Sequence, residues 1–140
     1  MEYSLAHQRI AFLHGVVRSA AFSPDGSVAV AAGSLGGDSA CVWDVASGTQ
    51  IFRLKHEGEV CRAAFSLDGT KILTASQDGT ARFWALFSGV ELARFTHGYG
   101  LSGAVISADS ASLLTWVYSD GASLWDTTSA IRRTGGRLVL

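Results

Sequence analysis

Residues 56–85 have the sequence HEGEVCRAAFSLDGTKILTASQDGTARFWA, and the pattern of these residues indicates the type of fold. Apolar and polar residues alternate along short runs, and the runs are separated by the turn sequences Leu-Asp-Gly and Gln-Asp-Gly. Alternation with a period of two is typical of a strand with one buried face, and Asp-Gly between two such runs is typical of a hairpin. The pattern therefore predicts antiparallel strands at residues 59–66, 71–76, 80–85 and, beyond a further turn, 91–95.

The same pattern recurs on both sides of this stretch. Three tryptophans lie 41 residues apart, at Trp43, Trp84 and Trp125. Three histidines open the same units, at His14, His56 and His97. A fixed interval of roughly 20 to 50 residues indicates a repeat architecture. We predict one domain whose repeats occupy residues 6–47, 48–88 and 89–130, followed by a degenerate tail at 131–140.

The composition agrees with a single globular all-β domain. The chain has 140 residues, of which 48% are apolar and 16% charged, with 16 glycines and one proline. The net charge of −1 gives no positive field that would attract a polyanion, so nucleic acid is not an expected partner. No window reaches the roughly 18 uninterrupted apolar residues of a spanning helix, and the first residues lack a basic export signal. We therefore expect no membrane partner.

The two cysteines favour a reducing compartment. Cys41 and Cys61 have neither CxxC spacing nor the partners of a disulfide framework, so we interpret both as small apolar residues. The expected location is the cytoplasm.

These residues resemble the WD-repeat β-propeller family over about residues 6–130. The resemblance rests on the opening His, the Ser-Pro-Asp-Gly turn or a variant of it, and the closing Trp-Asp. The sequence departs from the family pattern at Ala85 in the second Trp-Asp pair, at Ser110 in a turn, and at Asp120, which is displaced by one position. The resemblance implies blades of four antiparallel strands, three of them encoded in this chain as a partial propeller.

The resemblance also implies a hydrogen-bonded tetrad in each blade, formed by a loop His, a second-strand Ser or Thr, a turn Asp and the Trp indole. Repeat two has all four members, His56, Thr74, Asp78 and Trp84. Repeat three has His97, Thr115 and Trp125, with Asp120 out of register. Repeat one has His14 and Trp43, but Ala31 and Gly37 stand at the other two positions. We expect repeat one to be the least stable.

Residue types that could carry chemistry are better explained by the repeat. The histidines recur in step with tryptophan, whereas a metal site would need them to converge with further ligands. Residues 98–103 fit G-x-G-x-x-G, but no helix follows to bind a phosphate. We predict no enzymatic activity, no cofactor and no metal. A propeller-borne hydrolase is the alternative from another class, and it would need carboxylates or histidines converging on the channel.

Similar propellers bind partners through residues just after the first-strand Val and just before the turn Asp. On this sequence those positions are Arg18, Cys61, Gln77, Ser102 and Tyr118, and Arg62 lies one step beyond Cys61. For Cys61 and Ser102, packing within the strand is the competing interpretation. The resemblance thus implies a scaffold that binds protein or peptide partners on its loop face. Trp116 stands where the other repeats have alanine, which indicates either local repacking or a partner contact.

Three blades are fewer than the roughly 4 to 8 with which propellers close. Residues 9–13 align with 51–55 and predict an outer strand whose inner strands lie elsewhere, while the strand around 131–134 has a degenerate sequence and predicts an incomplete last blade. One hypothesis is a homo-oligomer in which two chains form a six-bladed ring. The other is that the chain is a truncated isoform or a fragment of a larger WD-repeat regulatory or sensor protein.

Overall fold

The computed structural model describes residues 15–34 and 38–128 in full, and residues 131–138 by their backbone. These residues form three antiparallel sheets of four strands each, in chain order. The first blade contains β1 (Val17–Phe22), β2 (Val28–Gly33), β3 (Ser39–Asp44) and β4 (Gln50–Lys55). The second contains β5 (Val60–Phe65), β6 (Lys71–Ser76), β7 (Thr80–Ala85) and β8 (Glu91–Thr96). The third contains β9 (Gly103–Ile106), β10 (Ser112–Val117), β11 (Gly121–Asp126) and β12 (Ile131–Leu138). The predicted all-β fold with three four-stranded blades is confirmed.

The first turn of each blade is fixed by an aspartate that accepts hydrogen bonds from a serine hydroxyl before it and from a backbone N–H after it. In the second blade, Asp68 Oδ1 accepts hydrogen bonds from Ser66 Oγ at 2.7 Å and from Thr70 N at 3.0 Å. Gly69 follows with a φ of +74°, which glycine adopts without a steric penalty. In the third blade Ser110 takes that place with a φ of +62°, so the departure seen in the sequence leaves a non-glycine residue in the left-handed region.

The blades stack face to face. We call the face that carries the repeated tryptophan the front face of a blade, and the opposite face its rear face. The rear face of the first blade packs on the front face of the second through a cluster that includes Val42, Ile72 and Trp84. The rear face of the second packs on the front face of the third through a cluster that includes Phe83 and Trp125. Burying each large apolar side chain stabilises the stack by about 1.5 to 3 kcal/mol.

The incomplete last blade predicted from the sequence is wrong. β12 pairs with β11, and the register places Trp125 opposite Arg132 and Ser123 opposite Arg137. The pairing shifts between those two positions, where β12 contains the glycines at 135–136. Backbone hydrogen bonds pair a strand whatever its side chains, and an irregularity absorbs the glycines, so a degenerate sequence still completes the sheet.

Three elements of the sequence prediction lie outside the described residues. These are the outer strand at 9–13, His14 and Gly37.

Candidate functional site

Each blade has two ends with different connections. The β6–β7 and β10–β11 turns and the segments between blades lie at one end, which we call the loop end. The β5–β6 and β7–β8 turns lie at the other, which we call the turn end. His56, His97 and all the predicted partner-binding residues belong to strands or loops at the loop end.

The tetrad of the second blade is a continuous chain of hydrogen bonds. Trp84 Nε1 donates to Thr74 Oγ1 at 2.8 Å, and His56 Nε2 lies 2.7 Å from the same hydroxyl. His56 Nδ1 lies 2.9 Å from Asp78 Oδ2. Because the carboxylate only accepts, Nδ1 carries a proton and donates to it, and a neutral ring then accepts the hydroxyl hydrogen of Thr74 at Nε2. Every polar atom of this buried chain is therefore used.

Asp78 also anchors a buried cation. Its carboxylate accepts from Thr80 N at 2.8 Å, from Glu57 N at 3.0 Å and from Arg82 Nη2 at 2.9 Å. Although burial opposes ionisation, the hydrogen bonds from Thr80, Glu57 and His56 hold the pKa of Asp78 well below its usual range. Arg82 is only 4% exposed, so this carboxylate balances a charge that water does not reach.

Arg82 is a member of the buried network that sequence reasoning missed. It lies two residues before Trp84 on β7, and side chains two apart on a strand share a face. The signal was therefore present in the sequence, as a charged residue at an inward-facing position.

The third blade repeats part of this network. Trp125 Nε1 donates to Thr115 Oγ1 at 2.8 Å, as in the second blade. His97 Nε2 lies 3.1 Å from Ser123 Oγ, and Ser123 occupies the position of Arg82. Asp120 donates its backbone N–H to Val117 O at 3.1 Å, which closes the β10–β11 turn. The polar network of this blade thus contains a serine where the second blade has a cation.

In the first blade Ala31 stands on β2 opposite Cys41, so this position of the tetrad offers no hydroxyl. Trp43 is half-buried, whereas Trp84 and Trp125 are 7% and 4% exposed. The lower stability of repeat one stays a prediction.

The buried imidazole predicts a loss of stability in mild acid. Burial lowers the pKa of His56 below its ordinary value of 6.5, and this outweighs the attraction of Asp78. The unfolded chain takes up a proton there that the folded chain does not, so the free energy of unfolding falls as the pH drops below about 6.5. Urea denaturation between pH 7.5 and 5 is expected to show this slope, and His56→Gln is expected to reduce it. Equal slopes in the two proteins would contradict the assignment.

A second decrease in the free energy of unfolding is expected below about pH 4. Hydrogen bonds from the backbone and side chain of Ser27 lower the pKa of Asp25 to about 2, and those from Ser66 and Thr70 do the same for Asp68. A carboxyl group whose pKa is lower in the folded chain stabilises the fold at pH values above its pKa in the unfolded chain. This stabilisation is lost as the pH falls through its pKa in the folded chain. Asp68→Asn should reduce this lower phase and leave the slope between pH 7.5 and 5 unchanged, because Asp68 is bonded to Ser66 and Thr70 and not to His56, which separates the two causes.

The predicted partner-binding residues differ in how they are held. Arg18 is exposed and its Nε lies 3.0 Å from Glu59 Oε1. Arg62 is exposed on β5, and Tyr118 at the β10–β11 turn is 95% exposed. Gln77 is exposed, but its Nε2 donates to Leu101 O at 3.1 Å. These four side chains present two cations, a phenol and an amide at the loop end.

Cys61 and Ser102 contact backbone groups of their neighbours. The thiol of Cys61 lies 3.2 Å from both Ala75 O and Leu101 O, and burial raises its pKa. Ser102 Oγ accepts a hydrogen bond from Tyr118 N at 2.8 Å. Both residues thus hold the loops that carry the more exposed side chains.

Tyr99 is a surface residue that sequence reasoning missed. It lies in the loop before the third blade and is 63% exposed. Its position outside the strand periodicity gave no indication of exposure, although an aromatic residue between two glycines in an inter-blade loop could have been singled out.

Over the described ranges, no three His, Cys, Asp or Glu side chains are grouped so that they could hold a metal ion. The same residues include no helix with the length and apolar character needed to cross a membrane.

The chain matches the family model described as "WD domain, G-beta repeat". The matched residues are 7–44 and 48–85, more than half of the chain. The second match begins before β4, the outer strand of the first blade, and runs through β5, β6 and β7 of the second blade, and the first match ends with β3. With its repeated tryptophans, its stacked four-stranded sheets and the buried tetrad of its second blade, the chain belongs to the WD-domain, G-beta repeat family.

Proposed function

We propose that this protein is a non-catalytic interaction scaffold that binds protein or peptide partners at the loop end of its blades. WD repeats in general mediate protein–protein interaction. The observation that carries the proposal is the exposure of Tyr118 and Tyr99, at 95% and 63%, at the end that also presents Arg18 and Arg62. Tyrosine and arginine are frequent anchors in interfaces because they combine a large contact area with hydrogen bonding.

The backbone beneath these side chains supports binding because hydrogen bonds fix it both within the second blade and between that blade and the next. Leu101 N donates to Ser76 O at 3.0 Å, and Gln77 N donates to Glu59 O at 2.8 Å. A surface held in place before a partner arrives loses less conformational entropy on binding.

The proposal includes a cytoplasmic location and partners other than nucleic acid or membrane. Its support is the net charge of −1 and the two thiols, Cys41 and Cys61, which are both free. The proposal also includes self-association, in which two chains make a six-bladed ring.

The test uses a displayed library of random peptides, selected on the wild-type protein and then titrated against variants. We expect Tyr118→Ala and Arg18→Ala each to lower the affinity for the selected peptides by tenfold or more, because each removes an exposed anchor at the loop end. Phe87→Ala is the matched control, since Phe87 is 86% exposed but lies at the turn end. Peptides that lose affinity with Phe87→Ala and keep it with both other variants would place the binding surface elsewhere.

A further inference from the structure

Two faces of the blade stack are covered by no other sheet of the described residues. One is the front face of the first blade, where Val17 and Phe22 are 55% and 68% exposed. The equivalent positions of the second blade are Val60, which is fully buried, and Phe65, which is half-buried against the first blade. The contrast identifies this face as one that further packing would bury.

The other uncovered face is the rear face of the third blade. Its central positions are Leu114, Trp116, Ala122 and Leu124, and a groove of about 450 Å³ runs along the first three of them. The equivalent positions of the first blade are Val30, Ala32, Ala40 and Val42, which the second blade buries completely. None of these rear-face residues is charged.

The two uncovered faces differ from the equivalent faces of the other blades, one by a larger side chain and the other by smaller ones. On the rear face, Trp116 replaces the alanine of the other two blades, and its ring lies over Gly103 on the neighbouring strand. A Cβ at Gly103 would lie 2.3 Å from the indole, so glycine is required there. This face has therefore gained a large side chain.

The front face of the first blade has lost volume instead. Ala29 stands where the second blade has Ile72, and Ala31 stands where it has Thr74. The third blade also has larger residues at these two positions, Leu113 and Thr115. A face that has lost volume can accept one that has gained it without overpacking.

We infer that the rear face of the third blade docks on the front face of the first blade of a second copy, with Trp116 at the centre of the contact. The contact continues the rear-to-front geometry that already joins the three blades within one chain. Two such contacts between two copies would close a ring of six blades, within the roughly 4 to 8 blades that propellers contain. The inference deepens the self-association included in the proposed function by naming its faces.

The test is the mass of the full chain in solution, measured by light scattering after size exclusion over a range of concentrations. We expect the wild type at twice 14.7 kDa. Trp116→Glu alters only the rear face and Val17→Glu only the front face, and each is expected to raise the dissociation constant of the dimer at least tenfold. Phe87→Ala, at the turn end, should leave the dimer unchanged.

Mixing the two variants separates this arrangement from a symmetric one. A one-to-one mixture retains one intact rear face and one intact front face, so a two-chain species should return with a single contact. Its return also shows that both variants fold. Leu124→Glu and Phe22→Glu form a second pair if circular dichroism shows that either first variant has lost its strands.

Four results would overturn the inference. They are a wild type that stays at 14.7 kDa, dissociation by only one of the two variants, a mixture of folded variants that stays monomeric, and a series of ever larger species. The peptide titration at the loop end is read independently of all four through Arg18→Ala, because Arg18 pairs with Glu59 of the second blade and lines neither uncovered face, whereas Tyr118 also borders the rear-face groove.

Discussion

Replacing Trp84 by alanine is expected to lower the free energy of unfolding by about 3 to 5 kcal/mol, the cost of truncating a buried aromatic residue. The indole is 7% exposed and packs between the first and second blades with Val42 and Ile72. It also donates to Thr74, so its removal takes one hydrogen bond from the buried tetrad. The substitution therefore removes both an inter-blade contact and a polar partner.

Urea denaturation followed by circular dichroism measures this loss. Trp84→Phe separates the two contributions, because it keeps most of the apolar area and removes the N–H; we expect a loss of about 1 to 3 kcal/mol. Phe87→Ala is the surface control and should change the stability by no more than about 0.5 kcal/mol. A loss for Trp84→Ala no larger than that of Phe87→Ala would contradict the structural role of the indole.

Much of the fold could be predicted because strand faces and turns are local properties of the sequence. The predicted strands at 71–76 and 80–85 coincide with β6 and β7, and the strand at 59–66 contains β5. Trp84 was located by the repeat alone, since one position per period must fill the same space between blades. The strand around 131–134 was expected, but its extension to Leu138 could not be predicted, because the pairing depends on the free edge of β11 rather than on the alternation of β12 itself.

The candidate site was less predictable because the exposure of its side chains depends on the course of the loops over the ends of the blades. The resemblance placed Cys61 and Arg62 side by side, but β5 turns the thiol toward two carbonyls while the guanidinium stays exposed. Tyr99 is exposed through the course of its loop, which no strand pattern describes. Arg82 was missed because a single charge in an alternating strand is usually solvated; its place two residues before Trp84 indicates the inward face, and the position of Asp78 shows how the buried charge is compensated.

Asp78→Asn is expected to lower the free energy of unfolding by about 3 to 5 kcal/mol, the usual loss when one member of a buried ion pair is removed. The side chains of Asp78 and Arg82 are 6% and 5% exposed, and their charged atoms lie 2.9 Å apart. Glu91 lies 3.6 Å from Arg82 but is 27% exposed, so it compensates only part of the remaining charge. The amide also offers His56 a weaker acceptor than the carboxylate.

The matched control is Asp68→Asn. Like Asp78, Asp68 accepts hydrogen bonds from the backbone N–H and the hydroxyl of the threonine two residues on, but it is exposed and forms no ion pair within the described chain. Its substitution should therefore cost much less than that of Asp78. Comparable losses would mean that the turn hydrogen bonds, and not the buried charge, explain the effect.

A double variant identifies the charge itself as the cause. Arg82→Met in the Asp78→Asn background removes the uncompensated cation and leaves an apolar side chain of similar length, so we expect it to recover a large part of the lost stability. Arg82→Met alone leaves Asp78 with its hydrogen bonds from Thr80, Glu57 and His56, and should therefore cost less than Asp78→Asn. If the two single losses simply add in the double variant, the pair is not coupled, and the carboxylate stabilises the second blade through its hydrogen bonds alone.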